Sequence, residues 1–220
     1  MSRGAAKTPQ GPVRQVRSAV VWLPYSDIDT DQIIPAAYIS GRTPEEFARG
    51  LFRGKRERDP SFVLNRPEMI GRSILLAVRN FGCGSSREAA VWALVAGGFR
   101  AVIATSFGDI FEANALKNGL LPVRVEPEVV DGLGDAVRRD EDCAFVVDLE
   151  ACTVSVPSAG VSATFAIAPF YRDLLLSGSS ELDYLLGCEE AITRYEHGPL
   201  MHAVAAQRAG TANDREDQNA

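Results

Sequence analysis

The chain has 220 residues, of which 46% are hydrophobic and 24% charged, and its formal net charge is −6. This composition is typical of one globular domain, and the acidic balance argues against broad binding to nucleic acids or anionic membranes. No apolar run approaches the roughly 18 residues of a membrane-spanning helix. The basic stretch 1–18 lacks the apolar segment of a secretory signal and is predicted to be a disordered tail. We therefore expect a cytoplasmic protein.

The cysteines and histidines limit the metal chemistry that the chain can support. No C-x-x-C pair occurs, so the usual signatures of zinc and iron–sulfur sites are missing. Reduced, mostly buried thiols are expected for Cys83, Cys143, Cys152 and Cys188. Both histidines, His197 and His202, lie near the C-terminal end. We expect this chain alone to bind no cofactor or metal.

The predicted elements before residue 65 are short. Residues 18–24 combine β-branched and aromatic side chains and end at a proline, which predicts a strand. Residues 25–34 form an acidic turn that leads into a short apolar element. The stretch 40–65 is polar and glycine-containing, which predicts a surface excursion with a short helix at 44–49. We expect a mobile loop at about residues 36–60.

The centre of the chain alternates strands with helices. Helices are predicted at 87–96 and 108–117, and strands at 73–78, 101–105 and 120–125. Glycines follow both helices, as is typical of helix ends. Two helices between three strands within about fifty residues is the βαβαβ pattern of a parallel sheet.

Beyond residue 126 the pattern changes. A helix is predicted at 128–138, and alternating segments predict antiparallel strands at 144–149, 153–156 and 163–167. The last helices are predicted at 169–177 and 180–196, before a polar, disordered tail at 203–220. The predicted fold class is α/β, with a mixed sheet around the central βαβαβ unit in one domain of residues 19–202.

The best candidate site is the glycine-rich turn at residues 80–88 (NFGCGSSRE), between a predicted strand and a predicted helix. Gly82 and Gly84 allow a sharp bend and a close approach of the backbone to a ligand. Exposed amides and the positive end of the helix dipole favour a carboxylate or a phosphate. Arg87 adds a forked donor that matches a carboxylate. The turn therefore predicts an anion site.

Other glycine-rich motifs do not fit this turn. It lacks the lysine of a P-loop, and Arg87 stands where a dinucleotide-binding loop has its third glycine. A nucleophile elbow is excluded because G-x-S-x-G is absent and no histidine is near. A purely structural interpretation stays open, since Ser85 precedes Glu88 by the spacing of a capping box. Spacing alone supports the two interpretations equally.

Three segments carry a resemblance to a known family: residues 27–35 (DIDTDQIIP), 80–88 and 101–123 (AVIATSFGDIFEANALKNGLLPV). In this order they resemble the swivel domain of the aconitase family, and in particular its isopropylmalate isomerase small subunits. The resemblance is strong from residue 20 to residue 123. It continues more loosely through residues 145–154 and 186–196. It implies an aconitase-type swivelling domain with β/β/α layers.

The resemblance also implies a role for each residue of the turn. Ser85 matches the family's catalytic serine, which acts as an alkoxide base on a carbon-bound proton. Ser86 and Arg87 match the groups that hold a substrate carboxylate, and Gly84 is expected to bind substrate beside them. Members of the family usually carry a histidine after this motif, where the present chain has Ala89.

Two further residues are candidates for substrate binding. Ser106 lies in a second turn that resembles the family's, and its alternative role is to cap the helix that begins near Gly108. Arg42 lies where the resemblance places a substrate-selecting loop, and its alternative is a solvated surface arginine.

The acidic segment after the first strand has carboxylates at alternate positions: Asp27, Asp29 and Asp31. Such spacing suits calcium, but the glycine and glutamate that complete an EF-hand loop are missing. A structural or interface role is favoured over a metal site.

The resemblance implies a hydro-lyase that interconverts 2-isopropylmalate and 3-isopropylmalate in leucine biosynthesis. Dehydration of a hydroxy diacid needs a base and a Lewis acid. The implied partner is a large subunit with a [4Fe–4S] cluster, in a heterodimer or heterotetramer, so the chain alone should be inactive. Homoaconitase, maleate, citraconate or dimethylmalate hydratase activity stays open, and so does a non-catalytic anion-binding module.

Overall fold

A computed structural model of the protein describes residues 11–198. The predicted tail 203–220, residues 1–10 and His202 lie outside the described residues. The chain divides into two compact units, Met1–Gly178 and Ser179–Ala220, where one domain was predicted. Between residues 11 and 198, no helix is long and apolar enough to cross a membrane.

The strands and helices are short. In chain order the strands of the described residues are β1 (Gln15–Ser18), β2 (Val20–Trp22), β3 (Ile74–Leu76), β4 (Ala101–Ala104), β5 (Leu121–Arg124), β6 (Phe145–Asp148), β7 (Thr153–Val156) and β8 (Val161–Thr164). The α-helices of the same residues are α1 (Thr30–Ile33), α2 (Pro44–Gly50), α3 (Arg53–Arg58), α4 (Glu88–Ala96), α5 (Asp109–Lys117), α6 (Pro127–Arg139), α7 (Pro169–Ser177), α8 (Glu181–Gly187) and α9 (Glu189–Glu196).

The described strands form two sheets. Strands β2, β3, β4 and β5 make a parallel sheet in that spatial order, with the βαβαβ unit at β3–β5. Strands β1, β6, β7 and β8 make an antiparallel sheet. The parallel and antiparallel strands are therefore separate, rather than joined in the mixed sheet that was predicted.

The parallel sheet is the middle layer of the first unit. Val21, Leu75 and Val102 pack in one apolar cluster with residues of α1, α2, α4 and α5. Their neighbours Val20 and Ile74 face a second cluster, which contains α6 and the antiparallel sheet. Successive side chains of a strand point to opposite faces, so each short strand contributes to both clusters. The β/β/α layers and the α/β class are confirmed.

The segment predicted to be a disordered tail is ordered over its second half. Strand β1 pairs antiparallel with β6, and Val13 and Val16 are buried. The prediction is therefore wrong for residues 13–18. The physical reason is that β1 is stabilised by a partner far away in the chain, and so short a strand carries little local signal.

The predicted surface excursion is largely helical and anchored. Helices α2 and α3 fall within residues 36–60, and between them Leu51 and Phe52 are buried. Phe47 packs edge-on against Trp92 of α4, with the ring centroids 5.3 Å apart. Apolar anchors of this kind attach the excursion to α4. Its predicted mobility stays a prediction.

The described part of the second unit contains α8 and α9. One helix was predicted for 180–196, but the helix is interrupted at Cys188, which ends α8 and precedes α9. Helix α8 begins with a capping box between Ser180 and Asp183.

Candidate active site

The candidate site lies where the connections after β2, β3 and β4 meet. The carboxyl edge of a parallel sheet is the usual place for a ligand in α/β proteins. The turn 80–88 follows β3 and is bonded on both sides. The Gly82 N–H donates to the Ile28 oxygen at 2.7 Å, and the Phe81 N–H donates to the Ser106 oxygen at 3.0 Å. Backbone hydrogen bonds to both neighbours thus fix the turn in place.

Two glycines give the turn its shape. Gly82 has a φ of +74° and Gly84 a φ of +89°, values that favour glycine. A Cβ on Gly82 would lie only 2.2 Å from Cγ of Phe111. The Phe111 ring packs edge-on against Phe81 at 5.3 Å. The turn therefore rests directly on aromatic rings and can do so only with glycine at position 82.

Ser85 and Ser86 are exposed at the tip of the turn. Within the described residues, the backbone N–H groups of Gly84, Ser85 and Ser86 have no protein acceptor. These amides lie just before α4, where the helix dipole adds positive potential. Unpaired amides at the start of a helix are suited to bind an anion. The turn thus offers two accessible hydroxyls beside three available N–H donors.

The capping-box interpretation of Ser85 is wrong. Helix α4 begins after Arg87, and no side chain in the described structure caps it. The Glu88 carboxylate instead accepts a hydrogen bond from Asn118 Nδ2 at 2.9 Å. The Ser85 hydroxyl is therefore not used by the helix.

Arg87 is paired within the chain. Its Nη1 donates to Asp31 Oδ1, and the Arg87 side chain is 21% exposed. The remaining N–H groups of the guanidinium are available for a second anion, since a guanidinium carries five donors. Asp31 thus orients Arg87, a role that could not be predicted from local sequence because the two residues lie 56 positions apart.

The other aspartates of segment 27–31 also support the turn. Asp27 accepts hydrogen bonds from Asn80 Nδ2 at 2.8 Å and from Arg79 Nη2 at 3.1 Å. Asp29 caps α1 by accepting from the Gln32 N–H at 2.7 Å. Each carboxylate therefore has an N–H partner, which agrees with a structural role. Across residues 11–198, no group of three or more His, Cys, Asp and Glu side chains is arranged to hold a metal ion.

Thr30 connects segment 27–31 to the serine itself. It is only 2% exposed. Its hydroxyl donates to the backbone oxygen of Ser85 at 2.8 Å and lies 3.4 Å from Ser85 Oγ. Its own N–H donates to the Cys83 oxygen at 2.9 Å. No local sequence signal marked Thr30, because a buried threonine in a short helix is common.

Ser106 supports the start of the turn by a hydrogen bond. Its Oγ accepts a hydrogen bond from the Asn80 N–H at 2.8 Å, and the residue is half-buried. It does not cap α5, whose N-cap residue is Gly108 and for which the described chain provides no capping side chain. The cap interpretation is wrong, and substrate contact by Ser106 stays a prediction.

Arg42 is not brought to the turn by any hydrogen bond or ion pair of the described residues. It is exposed, and its backbone N–H donates to Glu46 Oε2 at 2.6 Å. A cavity of about 480 Å³ beside it is lined by Tyr38, Arg49 and Arg53, among others. Arg49 and Arg53 were not predicted from the sequence, in which their one signal is their position on either side of a buried apolar pair.

Cys83 lies within the turn but has a low fraction of thiolate. Burial raises the pKa of its thiol, and the nearby carboxylates of Asp29 and Asp27 raise it further. A protonated thiol is a poor nucleophile and a poor metal ligand. Within the turn, the serine hydroxyls and the unpaired amides are therefore better suited than the Cys83 thiol to act on a ligand.

Comparison with known proteins gives the family of the chain. Residues 20–128 match the family model described as "Aconitase C-terminal domain". A 3-isopropylmalate dehydratase small subunit from Roseiflexus castenholzii is 45% identical over 203 residues, which cover 90% of this chain and 99% of the relative. The chain belongs to the 3-isopropylmalate dehydratase small-subunit family. The resemblance inferred from the three sequence segments is thereby confirmed.

Further members of this small-subunit family agree in length and fold. A small subunit from Rubrobacter xylanophilus is 49% identical over 185 residues, which cover 84% of this chain and 93% of the relative. The crystal structure of a 3-isopropylmalate dehydratase from Methanocaldococcus jannaschii superposes with a TM-score of 0.61 at 27% identity. It covers 84% of this chain and 99% of that one. The described fold is therefore that of the family.

Proposed function

We propose that this chain is the small subunit of 3-isopropylmalate dehydratase and that, together with the large subunit, it interconverts 2-isopropylmalate and 3-isopropylmalate. The observation that carries the proposal is the accessibility of the Ser85 side chain beside the unpaired amides of the turn. Its hydroxyl is exposed, is not used to cap α4, and lies among amides without a protein acceptor in the described chain. Family membership supports the substrate, and leucine biosynthesis is the corresponding pathway. The cytoplasmic location stays a prediction.

In the proposed reaction Ser85 acts as the base. Its alkoxide takes the proton from the carbon next to a substrate carboxylate, which forms the O–H bond of the serine. The electron pair of the broken C–H bond becomes the double bond, while the hydroxyl on the neighbouring carbon leaves with its own bonding pair. Addition of water in the opposite sense yields the isomer. The amides of the turn and Arg87 stabilise the alkoxide electrostatically.

The substrate carboxylate is assigned to the same turn. The N–H groups of Gly84 and Ser86, the Ser86 hydroxyl and the free donors of Arg87 are suited to its two oxygens. Arg42, Arg49 and the cavity beside them are proposed to contact the distal part of the substrate. The carboxylate end, which all the candidate diacids have in common, would then bind at the turn. The part that differs between these diacids would bind at residues 36–60.

The large subunit is proposed to complete the site. The leaving hydroxyl needs a Lewis acid, and a [4Fe–4S] cluster held by the partner would supply it when bound. The donor groups of the described residues do not form a cluster site. This chain would contribute the base, the N–H and hydroxyl donors to the substrate carboxylate, and the residues that support the turn. Heterodimer and heterotetramer are both compatible with this division of roles.

Replacing Ser85 with alanine tests the proposed function. In the complex with the large subunit, Ser85→Ala should lower kcat by at least about 1,000-fold, because the base is lost while the carboxylate donors remain. KM should change by less than about threefold. Turnover of both isopropylmalates is followed by the absorbance of the unsaturated intermediate, with Ser86→Ala as the neighbouring control, which should mainly raise KM.

The substrate is tested in the same assay. Wild-type complex should prefer isopropylmalate over homoaconitate, citraconate, maleate and dimethylmalate. Preference for another diacid would replace the proposed substrate but keep the serine chemistry. Full activity of Ser85→Ala, or turnover by the isolated metal-free chain, would contradict the mechanism.

A further inference from the structure

The geometry around Ser85 points to a positioning role for Thr30, and this inference rests on the function proposed above. We infer that the Thr30 hydroxyl turns its hydrogen from the Ser85 carbonyl to the Ser85 alkoxide, and so stabilises the deprotonated serine. Thr30 Oγ1 lies 2.8 Å from the Ser85 carbonyl oxygen and 3.4 Å from Ser85 Oγ. One donor therefore faces two acceptors of the same residue.

The hydrogen positions in the neutral site follow from the chemistry of the three oxygens. A carbonyl oxygen can only accept, so the single hydroxyl hydrogen of Thr30 lies between Thr30 Oγ1 and the Ser85 carbonyl. The lone pairs of Thr30 then face Ser85 Oγ. This arrangement suits a serine that still carries its proton, because the serine hydroxyl can donate towards Thr30.

Loss of the serine proton reverses the preference. Lone pairs that face an alkoxide repel it, whereas a donated hydrogen attracts it. A hydrogen bond to an ionised oxygen is roughly twice as strong as one between neutral groups. Rotation about the Cβ–Oγ1 bond of Thr30 moves only a hydrogen atom. The exposed Ser85 side chain can close the remaining distance by a change of χ1.

Burial makes Thr30 suited to this role. The residue is 2% exposed, and its N–H donates to the Cys83 oxygen, so water does not compete for the Thr30 hydroxyl itself. The N–H groups of the turn are fixed in direction. The Thr30 hydroxyl can instead accept a hydrogen bond from the neutral serine and donate one to the charged serine. The switch breaks no covalent bond and transfers no proton.

The charged and titratable groups around the turn stay unchanged when only the Thr30 hydroxyl is removed. They lie on segment 27–31, just before and on the turn, and at the first residues of α4 and α5: Asp27, Asp29, Asp31, Arg79, Cys83, Arg87, Glu88 and Asp109. A change in the pH profile of a Thr30 variant therefore reports on the hydroxyl and not on a lost charge.

The test compares Thr30→Val with Thr30→Ser in the complex with the large subunit. Valine has the shape of threonine without the donor, so the serine pKa should rise. The ascending limb of kcat against pH should then move to higher pH by about one to two units, with a loss of about 10- to 100-fold at neutral pH that recovers in alkali. Thr30→Ser should keep the wild-type profile. Thr153→Val on β7, in the antiparallel sheet, is the matched control.

The outcomes separate this inference from the proposed function. A Thr30→Val profile that keeps the wild-type limb, with or without a uniform loss of rate, overturns the inference. A shift of the same size in Thr30→Ser also overturns it. If valine prevents assembly of the complex, Thr30→Ala takes its place. If the wild-type complex turns over a different diacid, the proposed substrate is replaced, and the Thr30 variants are compared with that diacid instead. A wild-type complex inactive on every diacid refutes both proposals.

Discussion

At the scale of single residues, the ion pair between Arg87 and Asp31 sets the orientation of the guanidinium at the turn. One arm of the guanidinium is held by Asp31, and the side chain keeps 21% of its surface exposed. Holding one arm lowers the conformational entropy that Arg87 loses when a ligand binds. The pair is exposed enough that its own contribution to stability is small. The main effect of the pair is to orient the Arg87 guanidinium.

Replacing Arg87 with lysine should impair substrate binding although the charge is kept. An ammonium group is a point donor and cannot bridge Asp31 and a substrate carboxylate with the fixed fork of a guanidinium. We expect KM of the complex to rise by about tenfold or more, with a smaller change in kcat. Steady-state kinetics of the purified complex measure both constants. A KM within twofold of wild type would show that Arg87 does not bind substrate.

At the scale of elements, the site depends on how closely the start of α5 approaches the turn after β3. A Cβ on Gly108 would lie 2.6 Å from the Gly82 oxygen and 3.1 Å from Cys83 Cα. Gly108 N–H also donates to the Phe81 oxygen at 3.0 Å. The backbone before α5 is thus in direct contact with the backbone of the turn after β3. This contact limits how far the turn and its serines can shift relative to the parallel sheet.

A Cβ at Gly108 should therefore displace the turn. Gly108→Ala is expected to destabilise the fold by about 1–3 kcal/mol, as overpacking does, and to reduce turnover by more than that loss explains. Gly132→Ala is the control, because its Cβ in α6 would meet Val161 at an ordinary 3.9 Å and alanine is favoured in a helix. Urea unfolding and turnover of both variants are compared. Normal turnover of Gly108→Ala would show that the turn tolerates movement.

At the scale of the whole first unit, Arg72 joins segments that lie far apart in the chain. The residue is 6% exposed. Its Nη1 donates to the Val20 oxygen at 2.7 Å and to the Glu141 oxygen at 2.8 Å, and its Nη2 to Asp142 at 2.7 Å. It thereby links β2 to the connection between α6 and β6, and so ties the parallel sheet to the segment that enters the antiparallel one.

Loss of this buried arginine should weaken the whole unit. Arg72→Met keeps most of the apolar stem but removes the donor to the carbonyl oxygens of Val20, Glu68 and Glu141. Each buried unsatisfied group costs about 1–3 kcal/mol. We expect the free energy of unfolding to fall by about 2–5 kcal/mol. Arg138→Met is the control, since its ion pair with Asp135 is exposed and should contribute less than about 1 kcal/mol. Equal urea midpoints for the two variants would contradict the role of Arg72.

Much of the fold could be predicted because its elements are locally encoded. The central strands and helices lie within a few residues of their predicted bounds, since apolar runs and glycine ends mark them in the sequence. Strand β1 and the burial of Phe52 could not be predicted in this way. Both depend on partners supplied by the folded molecule, and Phe52 even adopts a positive φ of +49° that no pattern of side chains indicates.

The sequence by itself determined the nature of the site: Gly84, Ser85, Ser86 and Arg87 are contiguous, and their bend and exposed amides are local properties of the backbone. Only the tertiary structure decided between a helix cap and an accessible hydroxyl at Ser85. It alone brought Thr30 to Ser85 across 55 residues and Asp31 to Arg87 across 56. The physical reason is that such contacts arise from the side-by-side packing of β2 and β3, which local periodicity cannot specify.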